Sequence, residues 1–149
     1  MGFENFGKHG FVSQAKVAPI VDYLKKGELA GTKCQECNSL YFPPKADCPK
    51  CKSTKFDWVP LKQDCKLITF TEVFFAPPEF QKETPYLLGL AELEDGPRVF
   101  APIDSKISRE FLKVGVLLAL RPATVGNGIF YQLEKRETES IQKTATAKI

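Results

Sequence analysis

The chain has 149 residues and one histidine, His9, and that scarcity excludes most nucleophile–base chemistry at the outset. A side-chain nucleophile for acyl transfer needs a base within hydrogen-bond reach and a group that orients the base. His9 sits among Gly, Lys and Phe in a stretch with no helical or strand period, and it reads as a surface or interface residue rather than a base. Long apolar runs are missing as well. No stretch approaches the roughly 18 apolar residues of a membrane span, and Met1 to Gln14 lacks the apolar centre of a secretory signal. A strong charge of one sign is also absent, since the net charge is only +3. Residues 1–66 hold eleven lysines against seven acids, and residues 67–136 hold eight basic groups against nine acidic ones. Non-specific nucleic-acid binding draws its affinity from neutralised phosphates, and the second half has no basic excess to supply it. Five cysteines, an odd count with a metal-binding spacing, argue against a disulfide framework, so a reducing compartment, the cytoplasm, is expected.

Four of those cysteines, Cys34, Cys37, Cys48 and Cys51, stand as C-x2-C-x10-C-x2-C. Two such pairs on a short loop can place four thiolates tetrahedrally around one Zn²⁺, each at about 2.3 Å. Every pair opens a tight turn, and the residue after its second cysteine favours a conformation that Gly or Asn tolerates. Asn38 meets that need and Lys52 meets it less well, while Pro49 stiffens the second turn. Four thiolates fill the coordination sphere of zinc, so the metal is expected to be structural. Iron in a rubredoxin-like S4 site suits the same geometry.

The rest of the chain reads as a short helix and two kinds of β-structure. Pro19 suits a first helical position, Ile20, Tyr23 and Leu24 share a face, Lys25 and Lys26 suit the last turn, and Gly27 can cap it. Thr32 to Phe42 and Thr54 to Leu61 are expected as strands flanking the cysteine turns. From Lys66 the period becomes two: Leu67, Thr69, Thr71, Val73 and Phe75 alternate with Ile68, Phe70, Glu72 and Phe74. A proline-rich loop, Ala76 to Pro85, follows, and strands are expected at Tyr86–Leu93, Arg98–Ile103, Val116–Val125 and Ile129–Lys135. Ser108 is placed to cap a brief helix through Val114. Five strands with a short helix between the third and fourth form the pattern of a five-stranded Greek-key barrel, the OB-fold. The expectation is a mainly β chain divided into an N-terminal arm and helix (1–30), a rubredoxin-like zinc ribbon (31–61), an OB-fold (62–136) and a flexible tail (137–149).

A helix, a zinc ribbon and an OB barrel in this order resemble the DUF35 family of acyl-CoA-associated proteins. The resemblance covers roughly Val17 to Lys135 and rests on Gly27-Glu28-Leu29, Cys34-Gln35-Glu36-Cys37, Tyr41-Phe42-Pro43-Pro44, Cys48-Pro49-Lys50-Cys51, Trp58, Leu67-Ile68-Thr69-Phe70-Thr71, Pro85-Tyr86 and Leu112 to Gly115. Where the family has a Gly-rich turn before the first barrel strand, this chain has Gln63-Asp64-Cys65-Lys66. The resemblance implies a non-catalytic accessory subunit in a hetero-oligomer with a thiolase-fold enzyme. Such a subunit helps assemble the enzyme and holds coenzyme A or acyl-CoA at the interface, for instance for an aromatic 3-oxoacyl-CoA. A bridge between a thiolase and a hydroxymethylglutaryl-CoA synthase is the neighbouring alternative.

Other residues divide the remaining function classes. Lys33, Lys45, Lys62 and Lys66 lie around the ribbon–barrel junction in sequence and are the candidates for the phosphates of coenzyme A. Phe3, Phe6 and Phe11 give the N-terminal arm the aromatic anchors of a partner surface. A single-stranded nucleic-acid-binding OB protein would stack bases on aromatics such as Phe70, Phe74 and Tyr131, but their alternation with polar positions places them in the barrel core. A stand-alone acyl-CoA carrier is the third class. Cys65, the one cysteine outside the metal pattern, reads as a small buried hydrophobe.

Overall fold

In the computed structural model, Gly7 and residues 15–137 are described. Phe3, Phe6, Phe11 and His9 lie outside them, as does the tail beyond Glu137. One helix, α1 (Ile20–Lys25), opens the fold and buries Ile20, Val21 and Leu24. Pro19 leads into it with a helical φ of −55°. Gly27, at φ +79°, ends it. Its N–H donates to Leu24 O at 2.9 Å and the N–H of Glu28 donates to Tyr23 O at 2.9 Å, which satisfies the last carbonyls of the helix.

A three-stranded antiparallel ribbon follows in the order β2-β1-β3, built from β1 (Leu29–Cys34), β2 (Leu40–Tyr41) and β3 (Phe56–Leu61). The single strand expected over Thr32 to Phe42 is thus two strands. The first cysteine turn interrupts it, and Asn38, at φ 60°, reverses the chain so that β2 returns beside β1 with Tyr41 opposite Thr32. Tyr23 of α1 stacks on Trp58 of β3, with ring centroids 5.4 Å apart.

The barrel contains β4 (Asp64–Val73), β5 (Tyr86–Leu93), β6 (Arg98–Pro102), β7 (Leu117–Val125) and β8 (Gly128–Lys135), hydrogen-bonded in the order β6-β5-β4-β7-β8. A parallel bridge between Ile103 and Leu133 brings the two edges together and nearly closes the barrel. Within β4 the register shifts between Leu67 and Thr69. That bulge absorbs Ile68 and exchanges the faces beyond it, because side chains alternate strictly along a strand. Leu67 and Phe70 therefore both pack on the core, whereas the strict alternation placed them on opposite faces. The strand ends at Val73 rather than Phe75, and Phe74 and Phe75 stand 56% and 90% exposed. The helix expected after Ser108 is one 3-10 turn, Arg109–Phe111, and Ser108 makes no side-chain cap bond.

One apolar core runs through the molecule from α1 and the ribbon into the barrel, including Leu24, Leu29, Phe42, Leu67, Leu118 and Leu133. Phe42, at the end of the ribbon, meets Tyr131 of β8 at a centroid distance of 5.2 Å. Among the described residues no helix is long and apolar enough to cross a membrane.

Candidate metal centre

The sulfurs of Cys34, Cys37, Cys48 and Cys51 all lie within 4.8 Å of one another. A tetrahedron with metal–sulfur bonds of about 2.3 Å has edges of about 3.8 Å. Cys34 and Cys51 are 3.5 Å apart and Cys37 and Cys48 are 3.6 Å apart, so the donors already stand close to the edges such an ion requires. Four soft thiolates suit a tetrahedral zinc or iron site and do not suit hard cations such as Mg²⁺ or Ca²⁺.

Backbone geometry brings the sulfurs together. In each turn the first cysteine's carbonyl accepts from the residue four positions on: Asn38 N–H to Cys34 O at 3.0 Å, and Lys52 N–H to Cys48 O at 2.9 Å. The first cysteine's own N–H reaches across the turn, from Cys34 to Ser39 O and from Cys48 to Ser53 O, both at 2.9 Å. These bonds need a left-handed residue in fourth place, and both Asn38 (φ 60°) and Lys52 (φ 66°) adopt that conformation. Lys52 does so against its intrinsic preference, because the turn demands it.

The second turn has no strand of its own, and contacts from elsewhere fix it. Thr32, buried on β1, accepts the N–H of Lys45 at 2.9 Å and donates to Lys45 O at 3.2 Å. The Lys16 ammonium donates to Ala46 O and to Thr54 O, one on each side of the turn. Cys34 and Cys48 are buried, Cys37 is half-buried and Cys51 is exposed, so the cluster has an inner and an outer pair. The Tyr41 hydroxyl lies 3.3 Å from Cys48 Sγ. That bond, with backbone N–H groups of Cys51 and Lys50 acting after burial in the opposite sense, pulls the Cys48 thiol down to about 6, toward the thiolate that a metal needs. Ser39 and Tyr41 were not anticipated as part of this site. Their signal was present in Ser39-x-Tyr41, an alternation that puts two hydroxyls on one side of the segment just after the first cysteine turn.

The four candidate lysines occupy two places. Lys33 is exposed on β1, and Lys45 stands over the Tyr41 ring at 5.1 Å, both on the ribbon. Lys62 donates to Glu94 at 3.1 Å, and that bond raises its pKa, so its charge already has a partner. Lys66 lines a hollow of about 440 Å³ together with Asp64, Cys65, Glu92, Glu94, Leu117 and Arg136. Three carboxylates make that hollow a poor setting for phosphate. Of the aromatics considered for base stacking, Tyr131 is buried and Phe70 packs on the core, while Phe74 is exposed, contrary to its expected place inside the barrel.

Cys65 is 3% exposed. Burial, reinforced by the nearby Asp64 charge, pushes its thiol up to about 12. A thiol so raised stays protonated and weakly nucleophilic at neutral pH. Native, metal-loaded protein treated with iodoacetamide near neutral pH is expected to leave Cys65 unmodified by mass spectrometry, and denatured protein to be modified fully. Rapid labelling of Cys65 in the folded chain would contradict this.

Two sequence profiles match the chain. One, described as the ChsH2 rubredoxin-like zinc ribbon domain, covers residues 21–57. The other, described as the ChsH2 C-terminal OB-fold domain, covers residues 58–121. A DUF35 domain-containing scaffold protein of Methanocaldococcus jannaschii is 38% identical over 76 residues, spanning 50% of this chain and 54% of that protein. The benzoylsuccinyl-CoA thiolase subunit BbsA of Thauera aromatica is 34% identical over 76 residues, spanning 51% of each. These alignments reach about half the length of the curated relatives. A solved structure titled Ltp2-ChsH2(DUF35) aldolase matches with a TM-score of 0.69 at 22% identity, covering 84% of this chain and 98% of that one, and shares the fold. A DUF35 domain-containing scaffold protein of Pyrococcus furiosus is 34% identical over 94 residues, spanning 63% of this chain and 68% of that protein. With the two profiles, that match shows that this chain belongs to the DUF35 family.

Proposed function

We propose that this chain is the non-catalytic zinc-ribbon and OB-fold subunit of a thiolase-type acyl-CoA complex, where it helps assemble the enzyme and holds the coenzyme A moiety of the substrate. The relatives' names support this reading: one is a scaffold protein and another a subunit of a thiolase for benzoylsuccinyl-CoA, an aromatic acyl-CoA. The chain's own chemistry agrees. Four cysteines stand in the cluster, and the fifth is buried with its thiol pushed up by that burial. The cluster's resident ion is Zn²⁺, filling a structural role, because four thiolates leave no position for water or substrate.

The observation that carries the reading furthest is the exposure of large aromatics on the barrel: Phe74 and Phe75, just past the end of β4, and Phe100 on β6 are 56%, 90% and 59% exposed. Leu88 and Leu90 of β5 lie beside β6: Leu90 pairs with Phe100 across the strands and Leu88 with Pro102. Large aromatics exposed on a surface are the usual anchors of a protein partner. The partner in this reading is the thiolase-fold catalytic subunit. Of the candidate lysines, Lys33 and Lys45, both exposed on the ribbon, are the ones assigned to coenzyme A phosphates in this reading, since Lys62 already has Glu94 and Lys66 stands among carboxylates.

The test is native purification of the tagged full chain, with gel filtration and mass spectrometry of what co-elutes. The expected result is a hetero-oligomer with a thiolase-fold chain. The double variant Phe74→Ser/Phe75→Ser is expected to lose that companion and keep its zinc, because one hot-spot truncation costs about 2 kcal/mol, or about 30-fold in affinity. Elution of the wild-type chain as a monomer with no thiolase-fold companion contradicts the proposal. Salt-dependent retention on single-stranded DNA would instead favour the nucleic-acid reading.

A further inference from the structure

Two side-chain hydroxyls reach the sulfur cluster from β2 and the residue just before it. The Ser39 hydroxyl lies 3.1 Å from Cys37 Sγ and the Tyr41 hydroxyl lies 3.3 Å from Cys48 Sγ. Residues two apart on an extended segment share a face, so one side of the Ser39–Tyr41 stretch presents both groups to the cluster, one to each cysteine turn. A divalent ion with four thiolates carries a net charge of −2. Half of the donor set is buried, and buried charge is costly unless hydrogen bonds meet it. Backbone N–H groups supply part of that compensation, as at Cys48, which accepts from Lys50 and Cys51.

Tyr41 differs from the backbone donors in where it comes from. The backbone donors to Cys48 belong to its own turn and move with it, whereas Tyr41 belongs to β2, which is paired with β1. The ring itself is fixed by an edge contact with Phe56 at 6.2 Å and by the Lys45 ammonium 5.1 Å above its face. Its hydroxyl is thus a tether from the sheet to a turn that has no strand.

Resting on the reading of the cluster as a resident metal site, we propose that Tyr41 is a positioning residue of that site. Its O–H donates to the Cys48 thiolate, takes up part of that sulfur's charge and holds the second cysteine turn on the ion, which slows metal release. Ser39 accepts from the Cys37 thiol and can turn its own O–H to that sulfur once it is a thiolate; Cys37 is less buried than Cys48, so water competes and the effect is smaller.

The experiment uses the full chain loaded with Zn²⁺ and, separately, with Co²⁺. In Tyr41→Phe the ring and both of its contacts remain and only the hydroxyl is lost. Release of Zn²⁺ to a chromophoric chelator is expected to quicken about 10–100-fold, the usual effect of removing a group that hydrogen-bonds a metal ligand. In the Co²⁺ form, the sulfur-to-metal charge-transfer band is expected to move to lower energy, because a thiolate without its hydrogen bond gives up charge more readily. Ser39→Ala should do both to a lesser degree. Phe56→Leu loosens the ring's packing but keeps the hydroxyl, and should leave the band in place. Unchanged release with an unmoved band in Tyr41→Phe overturns the proposal, as does an equal band shift in Phe56→Leu, which would assign the effect to packing. Wild-type protein that takes up neither ion overturns the metal reading itself, and the Tyr41 role with it.

Discussion

Cys37→Ser is expected to empty the ribbon of metal and melt it. Cys37 is the informative ligand to replace, because it is half-buried. Serine there changes little packing, whereas at Cys34 or Cys48, both buried, a lost metal bond and a disturbed core would be read together. Structural zinc contributes about 10–16 kcal/mol of apparent binding free energy at neutral pH, and a whole domain has about 5–15 kcal/mol of stability. The metal term is therefore as large as the stability of the fold it sits in, and the ribbon cannot keep both turns without it. The part most dependent on the ion is 35–54, where regular structure amounts to the two residues of β2. Elemental analysis should fall from one zinc per chain to near none. Amide exchange should become fast through the two turns, and β1 paired with β3 should follow. The barrel is expected to survive with a lower melting temperature, since Phe42 packs on Tyr131 and ribbon and barrel share one core. A strong chelator applied to wild-type protein should reproduce the same exchange pattern. A Cys37→Ser chain with normal zinc content and unchanged exchange would show that the ion is not held by these four sulfurs.

The parts of this fold that were legible in the sequence are those written locally. The cysteine spacing, the Gly27 stop and the two-residue period of the barrel strands each depend on neighbours in the chain, and each led to the element the structure contains. The departures share a different cause. The bulge at Ile68 is chosen by the pairing of β4 with β5, which sets Thr69 against Leu90, and the sequence of β4 alone reads equally well without it. The Ser108 segment ends as one 3-10 turn, and its Arg109 pairs instead with Glu72 of β4 at 2.9 Å, a long-range contact that propensity does not record. The sulfur positions followed from spacing, whereas the groups that hold the second turn come from three places in the chain: Lys16, Thr32 and Tyr41. Only Tyr41 had a nearby signal. The lysines are near one another in sequence, and the fold divides them, because β3 runs from the cysteine end of the ribbon to its other end before Lys62.

The second large effect is expected from adding one methyl group. Gly31 on β1 has an ordinary backbone conformation, so its freedom of φ is not what the position uses. Its use is space. A Cβ built there would lie 2.5 Å from the carbonyl oxygen of Tyr41 and 3.0 Å from Leu61 Cδ1. Leu61 has a side chain that can turn, but the carbonyl belongs to the backbone of β2, which can yield only by moving the strand. In Gly31→Ala that movement would carry away Thr32–Tyr41 pairing and the Tyr41 hydroxyl beside Cys48 together. Overpacking costs about 1–3 kcal/mol where side chains can adjust, and a rigid neighbour puts this case near the upper end, at about 3 kcal/mol. For a chain of this length that is roughly 6–12 °C of melting temperature. Gly27→Ala is the contrasting change. Nothing lies within 4 Å of a Cβ at Gly27, but its φ of +79° is left-handed, so the cost is conformational, about 1–2 kcal/mol, and falls on the end of α1 alone. The two variants are thus expected to separate: Gly31→Ala should melt lower and release zinc faster, and Gly27→Ala should lose less stability and keep the zinc release of the wild type. Thermal unfolding followed by circular dichroism, with chelator-monitored release on the same samples, reads both. If Gly31→Ala melts at the wild-type temperature, β2 does not approach β1 as closely as the carbonyl contact requires, and the close passage of the strand that carries Tyr41 is wrong.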